Sequence, residues 1–347
     1  ASVIVVDDDL LPLLEPLAPR LPSVELYLVS SESGEWDTTI TGAIGYEDFI
    51  RRGADDFAWP ELDENAPLGL CYTSGTTGNP KGAMYTHRST YLHTMAEAMT
   101  DTMGMSGTDT VFGIVPMFHA MCWGLPYTAT MLGAKQVYPS RFMQPERLLD
   151  LMATEAVTLA CGVPTIWQGV RNAVEAEPDR WDLSNLERVL CGGSAPPASL
   201  LRWYWDVLGV EMIQAWGMTE TNPLAVVARR IAKRAHRQLS IDEQFANVRK
   251  TGLLEPGLEI EIVDDDFKPL PHDGTSFGEL LIKGPWIASE YHADPQPDKF
   301  RDGWLLTGDV ARIDPEQYLI ITDRSKDLIK SGGEWISSVD IENHICA

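Results

Sequence analysis

One stretch of the sequence brings together the residue types that hold phosphate: Tyr72-Thr73-Ser74-Gly75-Thr76-Thr77-Gly78-Asn79-Pro80-Lys81-Gly82, directly after an apolar run. Hydroxyls and glycines in one loop let side-chain O–H and backbone N–H groups converge on phosphate oxygens, and Lys81 adds a positive charge. The spacing is not that of a Walker loop. Counted from Gly75, the second glycine would fall where Pro80 stands, and Lys81 is followed by Gly82 rather than Ser or Thr. A nucleotide ligand survives that test, whereas the kinase or GTPase version does not. A surface loop built from ordinary turn residues is the alternative.

The rest of the composition narrows the ligand. The 347 residues carry Lys+Arg 27 against Asp+Glu 51, a formal net charge of -24, which disfavours nucleic acid as a partner and leaves an anionic ligand to a few local groups. Five cysteines (Cys71, Cys122, Cys161, Cys191, Cys346) form no CxxC pair, and most lie in apolar runs typical of reduced thiols. That pattern argues against structural zinc and for a cytoplasmic location. No apolar run approaches the roughly 18 residues of a membrane span, and residues 1–25 lack a signal-peptide pattern. Both ends break into patterns, a strand at Val3 and a helix around Ile341, so the sequence reads as a fragment.

The elements that must position the loop follow from periodicity. Residues 1–67 read as a strand (3–6), a Leu- and Pro-rich helix, a strand (24–29) and an acidic surface connection. From 68 to about 250, apolar strands at 68–72, 110–115, 157–161, 189–191 and 210–214 alternate with helical patterns, which argues for an α/β fold with a mainly parallel sheet flanked by helices. Pro145 at a first turn and the stripe Leu148, Leu149, Leu151 and Met152 mark one such helix. After Thr251 the period changes to two, at 258–262 and 278–283, announcing a β-rich unit that reaches about Asp323. A last feature is the basic cluster Arg229, Arg230, Lys233, Arg234, His236 and Arg237, expected on a helix as a solvated face or as a phosphate contact.

The loop closely resembles the phosphate-binding signature of the adenylate-forming superfamily: acyl-CoA synthetases, luciferases and adenylation domains. Further resemblances occur in family order at Phe118-His119, Gly192-Gly193-Ser194-Ala195, Gln214-Ala215-Trp216-Gly217-Met218-Thr219-Glu220, Thr307-Gly308-Asp309 and Asp323-Arg324-Ser325-Lys326-Asp327. The resemblance implies an ATP site in which Thr73 to Lys81 hold phosphates and Trp216 stacks on adenine against backbone from Gly193 to Ala195. It also implies that Asp309 and Arg324 take the ribose, that Thr219 contacts the nucleotide, and that Glu220, with Thr73, holds Mg²⁺ between phosphates. Family members more often carry Tyr where Trp216 stands, so the phenolic oxygen is lost. For Trp216 a core tryptophan, and for Thr219 and Glu220 a helix cap, are the plain alternatives. His119 is implied to lie near the substrate carboxylate, with Lys81, Thr219 and Glu220 as its catalytic companions.

Trp123 and the segment 326–342 resemble the medium- and long-chain fatty acyl-CoA synthetase branch, where an aromatic gates an acyl tunnel. By family position Lys326 is a hinge, and Lys330, Gly332 and Gly333 face the CoA arm; ordinary turn glycines are the alternative. The implied layout is the tail of a preceding subdomain (1–67), an α/β subdomain for ATP and acyl group (68–250), a β-rich, barrel-like subdomain (251–323), and a hinge with the start of a small C-terminal domain (324–347). The family's catalytic lysine would lie beyond Ala347. The partners expected are a fatty acid, ATP and CoA, with a homodimer left open. The expected activity is AMP-forming fatty acid:CoA ligation. Ligation of an aryl or branched acid, or a non-catalytic binding fragment, are its rivals.

Overall fold

The computed structural model describes residues 1–73, 80–294 and 296–324, with the backbone of 329–331 and 334–336. The chain divides into two compact units, Ala1–Leu62 and Asp63–Ala347. In the first, three parallel strands β1 (Val3–Asp7), β2 (Leu26–Ser30) and β3 (Ile44–Gly45) lie in that order. Buried Leu11, Val29 and Ile40 fill its core.

The second unit opens on a hairpin of β4 (Pro67–Thr73) and β5 (Lys81–Thr86), in which Thr73 pairs with Lys81. Residues 68–72 were expected among the strands of the parallel sheet, and here the structure corrects the reading. The connection to β5 is far too short for a parallel crossover, which needs a dozen residues or more, so the strand turns back on itself. The phosphate-type loop thus joins two antiparallel strands rather than a strand and a helix. After β5, Thr86 accepts from the Ser89 N–H at 3.0 Å and caps the helix His87–Ala98.

The central sheet has seven strands in the order β12-β11-β10-β9-β8-β6-β7. β6 (Thr110–Gly113), β8 (Leu159–Gly162), β9 (Arg188–Cys191) and β10 (Glu211–Gly217) run parallel, as the alternating pattern implied, and the unexpected β7 (Lys135–Val137) runs parallel beside β6. β11 (Leu224–Ala228) and β12 (Leu253–Leu254) are antiparallel additions that sequence periodicity did not show. Apolar stripes of the helices Pro145–Thr154, Pro164–Ala176 and Ala198–Leu208 pack with the sheet in one core around Trp167, Tyr204 and Phe112. A second core gathers Trp123, Leu125, Leu159 and Ile213. The period-two segments form an antiparallel sheet of β13 (Glu259–Val263), β14 (Gly278–Lys283), β15 (Phe300–Arg301), β16 (Trp304–Ile313) and β17 (Leu319–Arg324). Short β18 (Ile329–Ser331) and β19 (Glu334–Ile336) pair with each other.

The basic cluster is also corrected. Only Arg234–Gln238 is helical, as a 3-10 turn, and several of its charges are engaged within the chain. Arg229 reaches Glu211 Oε2 at 2.6 Å and the Thr100 carbonyl at 2.6 Å, and Lys233 donates to the Glu316 carbonyl at 2.5 Å. Arg230 lies 3.9 Å from the Trp205 ring centroid and donates to Gln244. Arg229, Arg230 and Lys233 tie β11 and the segment after it to their surroundings, whereas Arg234 and Arg237 lie exposed on the 3-10 turn.

Candidate active site

The second unit encloses a cavity of about 370 Å³ with two chemically different walls. One wall is polar. Thr73 and Lys81 come from the paired ends of β4 and β5, Glu220 from the 3-10 turn Thr219–Thr221 after β10, Arg324 from the end of β17, and Tyr291 and Lys299 from the segment between β14 and β15. The other is apolar, with Ala120, Trp123, Leu190, Ala215 and Leu224.

The polar wall holds its charges by cross-contacts between distant segments. Lys81 Nζ donates to Gln296 Oε1 at 2.6 Å and stands 5.4 Å from the Tyr291 ring centroid. The Tyr291 hydroxyl donates to Glu220 Oε1, and Lys299 Nζ lies 3.7 Å from the same oxygen. Burial and the adjacent Glu220 push the Tyr291 phenol up, so it stays a donor. The Tyr85 hydroxyl fixes the turn by donating to the Thr219 carbonyl at 2.7 Å. Gly217 is forced by close approach: a Cβ there would meet the Pro223 carbonyl oxygen at 1.8 Å. Lys81, Lys299 and Arg324 therefore present three cations on one wall of a chain whose net charge is -24.

Asp309 stands behind Arg324 because β16 and β17 pair them directly in register. Arg324 Nε forms an ion pair with Asp309 Oδ1 at 2.9 Å, while Oδ2 is buried with no partner among the described residues. Burial raises the Asp309 carboxyl to about 6, partly offset by Arg324 and by the nearby indole of Trp216. A buried carboxylate oxygen without a donor is costly, and it can accept from a ligand hydroxyl.

At the apolar wall, residues 120–124 all carry positive φ, from 44° at Ala120 to 80° at Gly124. Four of them are not glycine, and such backbone costs free energy that the surrounding packing must offset. This left-handed turn places His119 and Trp123 on the cavity and lays the Trp123 ring against Gly192, where a Cβ would lie 3.0 Å from the indole.

The structure brings Thr73, Lys81, His119, Trp123, Gly193, Ala215, Trp216, Gly217, Met218, Thr219, Glu220 and Arg324 onto this one cavity. Ser194 and Ala195 are exposed after β9, and Gln214 is buried within β10. Ser74, Gly75, Thr76, Thr77, Gly78, Lys326, Gly332 and Gly333 lie outside the described residues, and of Lys330 only the strand backbone is described. Sequence reasoning missed Tyr291, Gln296 and Lys299, which sit in a turn-rich segment with no period. It also missed Glu97, whose place inside an ordinary helix gave no signal. Among the described residues no three His, Cys, Asp or Glu side chains cluster for a metal, and no helix is long and apolar enough to cross a membrane.

With this geometry, the comparisons with known proteins agree in direction. The profile of the AMP-binding enzyme family matches residues 1–292. A medium-chain-fatty-acid–CoA ligase of Ectopseudomonas oleovorans is 45% identical over 344 residues, 99% of this chain and 62% of that ligase. A 3-methylmercaptopropionyl-CoA ligase of Ruegeria lacuscaerulensis is 44% identical over 342 residues, 98% of this chain and 63% of that one. Among solved structures, an anthranilate CoA ligase in complex with anthranoyl-AMP superposes with a TM-score of 0.83 at 26% identity, covering 99% of this chain and 62% of the other. The chain thus spans about three fifths of the length of the relatives it matches.

Proposed function

The chain belongs to the AMP-binding enzyme family, and on that premise we propose that it is the ATP- and acid-binding part of an AMP-forming carboxylic acid:CoA ligase acting on a medium- or long-chain fatty acid. The observation that carries this reading is the cavity with one cationic wall and one apolar wall. It suits a carboxylate-bearing chain laid against a nucleotide triphosphate.

In this reading the acid's carboxylate attacks the α-phosphorus of ATP in line. The P–O bond to pyrophosphate breaks and an acyl-adenylate remains. Lys81 and Lys299 hold phosphate oxygens, and their fixed positions stabilise the charge that moves onto pyrophosphate, while Arg324 is a second ribose contact beside Asp309. Trp216 stacks on adenine, and the orphaned Oδ2 of Asp309 accepts from a ribose hydroxyl. His119, at the mouth of the left-handed turn, orients the carboxylate. In the second half-reaction the CoA thiol attacks the mixed anhydride carbonyl, expelling AMP and giving the thioester. No covalent enzyme intermediate is needed.

The donor set fits Mg²⁺, which prefers one or two carboxylates plus substrate phosphates and water. Glu220 would hold the ion with Thr73, and when bound it would neutralise phosphate charge. The buried, unpaired thiols of Cys71, Cys122, Cys161 and Cys191 support placing the protein in the cytoplasm. Similarity to a 3-methylmercaptopropionyl-CoA ligase supports a second reading of the substrate, an acid with a heteroatom in its chain.

The test is acid-dependent ATP–pyrophosphate exchange across a chain-length series, in the full-length ligase that carries this chain. Exchange should peak with one medium or long acid, and Glu220→Ala should lower it at least about a hundredfold while the thermal midpoint changes little. Near-normal exchange in that variant would remove Glu220 from the site, and no exchange with any acid would leave a nucleotide-binding module.

A further inference from the structure

The helix His87–Ala98 carries two buried titratable side chains that no step above uses. His93 and Glu97 are each 1% exposed, one turn apart, with Nε2 and Oε1 separated by 3.7 Å. They are not an ion pair. The Leu224 N–H donates to His93 Nε2 at 3.0 Å, which places the ring's own proton on Nδ1, and burial brings the imidazole down to about 3. Burial holds the Glu97 carboxyl well above the ordinary range, with the Thr128 hydroxyl working against that shift and nearby Glu255 adding to it. Thr128 Oγ1 donates to Glu97 Oε2 at 2.5 Å, which leaves Oε1 as the carboxyl oxygen it does not engage.

Oε1 has no hydrogen-bond partner among the described residues. Glu97 nevertheless lines the cavity, together with Trp123, Leu190 and Leu224. The wall expected to take an alkyl chain therefore contains one buried carboxyl oxygen left without a partner. A plain hydrocarbon would leave that group unsatisfied, whereas an oxygen on the substrate chain would satisfy it. Its register is fixed by packing: Gly124 lets the turn approach so closely that a Cβ there would meet His93 Cε1 at 2.9 Å and Glu97 Oε2 at 3.0 Å.

We propose that Glu97 is a specificity residue of the acyl wall, selecting a medium-length carboxylic acid with an oxo or hydroxyl oxygen on its chain over the alkyl acid of equal length. The proposal rests on the ligase reading above. Its test is pyrophosphate exchange by the full-length ligase with octanoate and a positional series of oxo- and hydroxyoctanoates, for the parent, Glu97→Gln and Glu97→Leu. In the parent, kcat/KM for one positional isomer should exceed that for octanoate roughly tenfold, the worth of one good hydrogen bond. Glu97→Gln, which keeps a donor, should retain most of that ratio, and Glu97→Leu should reverse it in favour of octanoate, chiefly through KM. A ratio that is the same in Glu97→Leu as in the parent, with only the thermal midpoint lowered, would make the pair structural and overturn the proposal. Exchange with alkyl acids alone would overturn it while leaving the ligase reading intact, whereas no exchange with any acid would remove both.

Discussion

Asp309 shows what a single residue gives up for a binding role. Its carboxyl is 2% exposed and raised to about 6, above the roughly 3.8 of an unfolded chain. The folded protein therefore holds this proton more tightly than the unfolded one. Stability that is present below about pH 4 is lost as pH rises toward 6, and at pH 7 the anion costs on the order of 3 kcal/mol. Asp309→Asn should raise the thermal midpoint of the ligand-free protein at pH 7 and weaken AMP binding at least about tenfold by calorimetric titration. Unchanged AMP affinity would take Asp309 out of the ribose site. Asp309 and Arg324 each stood out in the sequence as members of short motifs, and strand register, which the sequence did not show, pairs them. Tyr291, Lys299 and Glu97 were not legible. A buried polar side chain announces itself by its three-dimensional neighbours, and these three lie where no local spacing distinguishes them from surface residues.

Among the elements, the left-handed turn at residues 120–124 has the least support from local propensity and the most from packing. Only Gly124 is suited to its backbone. Gly124→Ala adds a strained φ of 80° to a Cβ crowded by His93 and Glu97. Urea unfolding should show a loss of roughly 2–4 kcal/mol with an unchanged m-value. The matched control is Gly133→Ala, where φ is 72° but nothing lies within 4 Å of the added Cβ, and where about 1 kcal/mol should be lost. Equal losses at the two sites would mean that strain alone, and not contact with the buried pair, sets the cost. Of the parallel strands of the central sheet, β6, β8, β9 and β10 were readable as apolar runs between helical patterns, and β13 and β14 as period two, whereas the short, polar-edged β7 was not. Direction was the weak point. β4 looks like any core strand until the short connection to β5 is counted, and β11 is a five-residue apolar run between a turn and a basic cluster that drew the eye as a helix.

Across the whole molecule, buried titrating groups pull stability in opposite directions with pH. Burial lowers His93 to about 3 and depresses His236, so their unfolded forms take protons first and stability falls as pH drops below about 6.5. Glu97 and Glu255 act in the opposite sense. Burial raises Glu255 to about 7 and Glu97 well above its ordinary value, so each holds a proton that the unfolded chain has already released, and stability is lost as pH rises through those values. Above about pH 6.5 the histidines are neutral in both states, so only the carboxyls still act, and the repulsion within a chain of net charge -24 adds to them. The thermal midpoint should therefore be higher at pH 6 than at pH 8, by several degrees. Replacing Glu97 and Glu255 together by Gln should flatten most of that difference, while the fall below pH 6 should persist because the histidines remain. A midpoint that rose from pH 6 to pH 8 in the parent would mean that both carboxyls are ionised in the folded state.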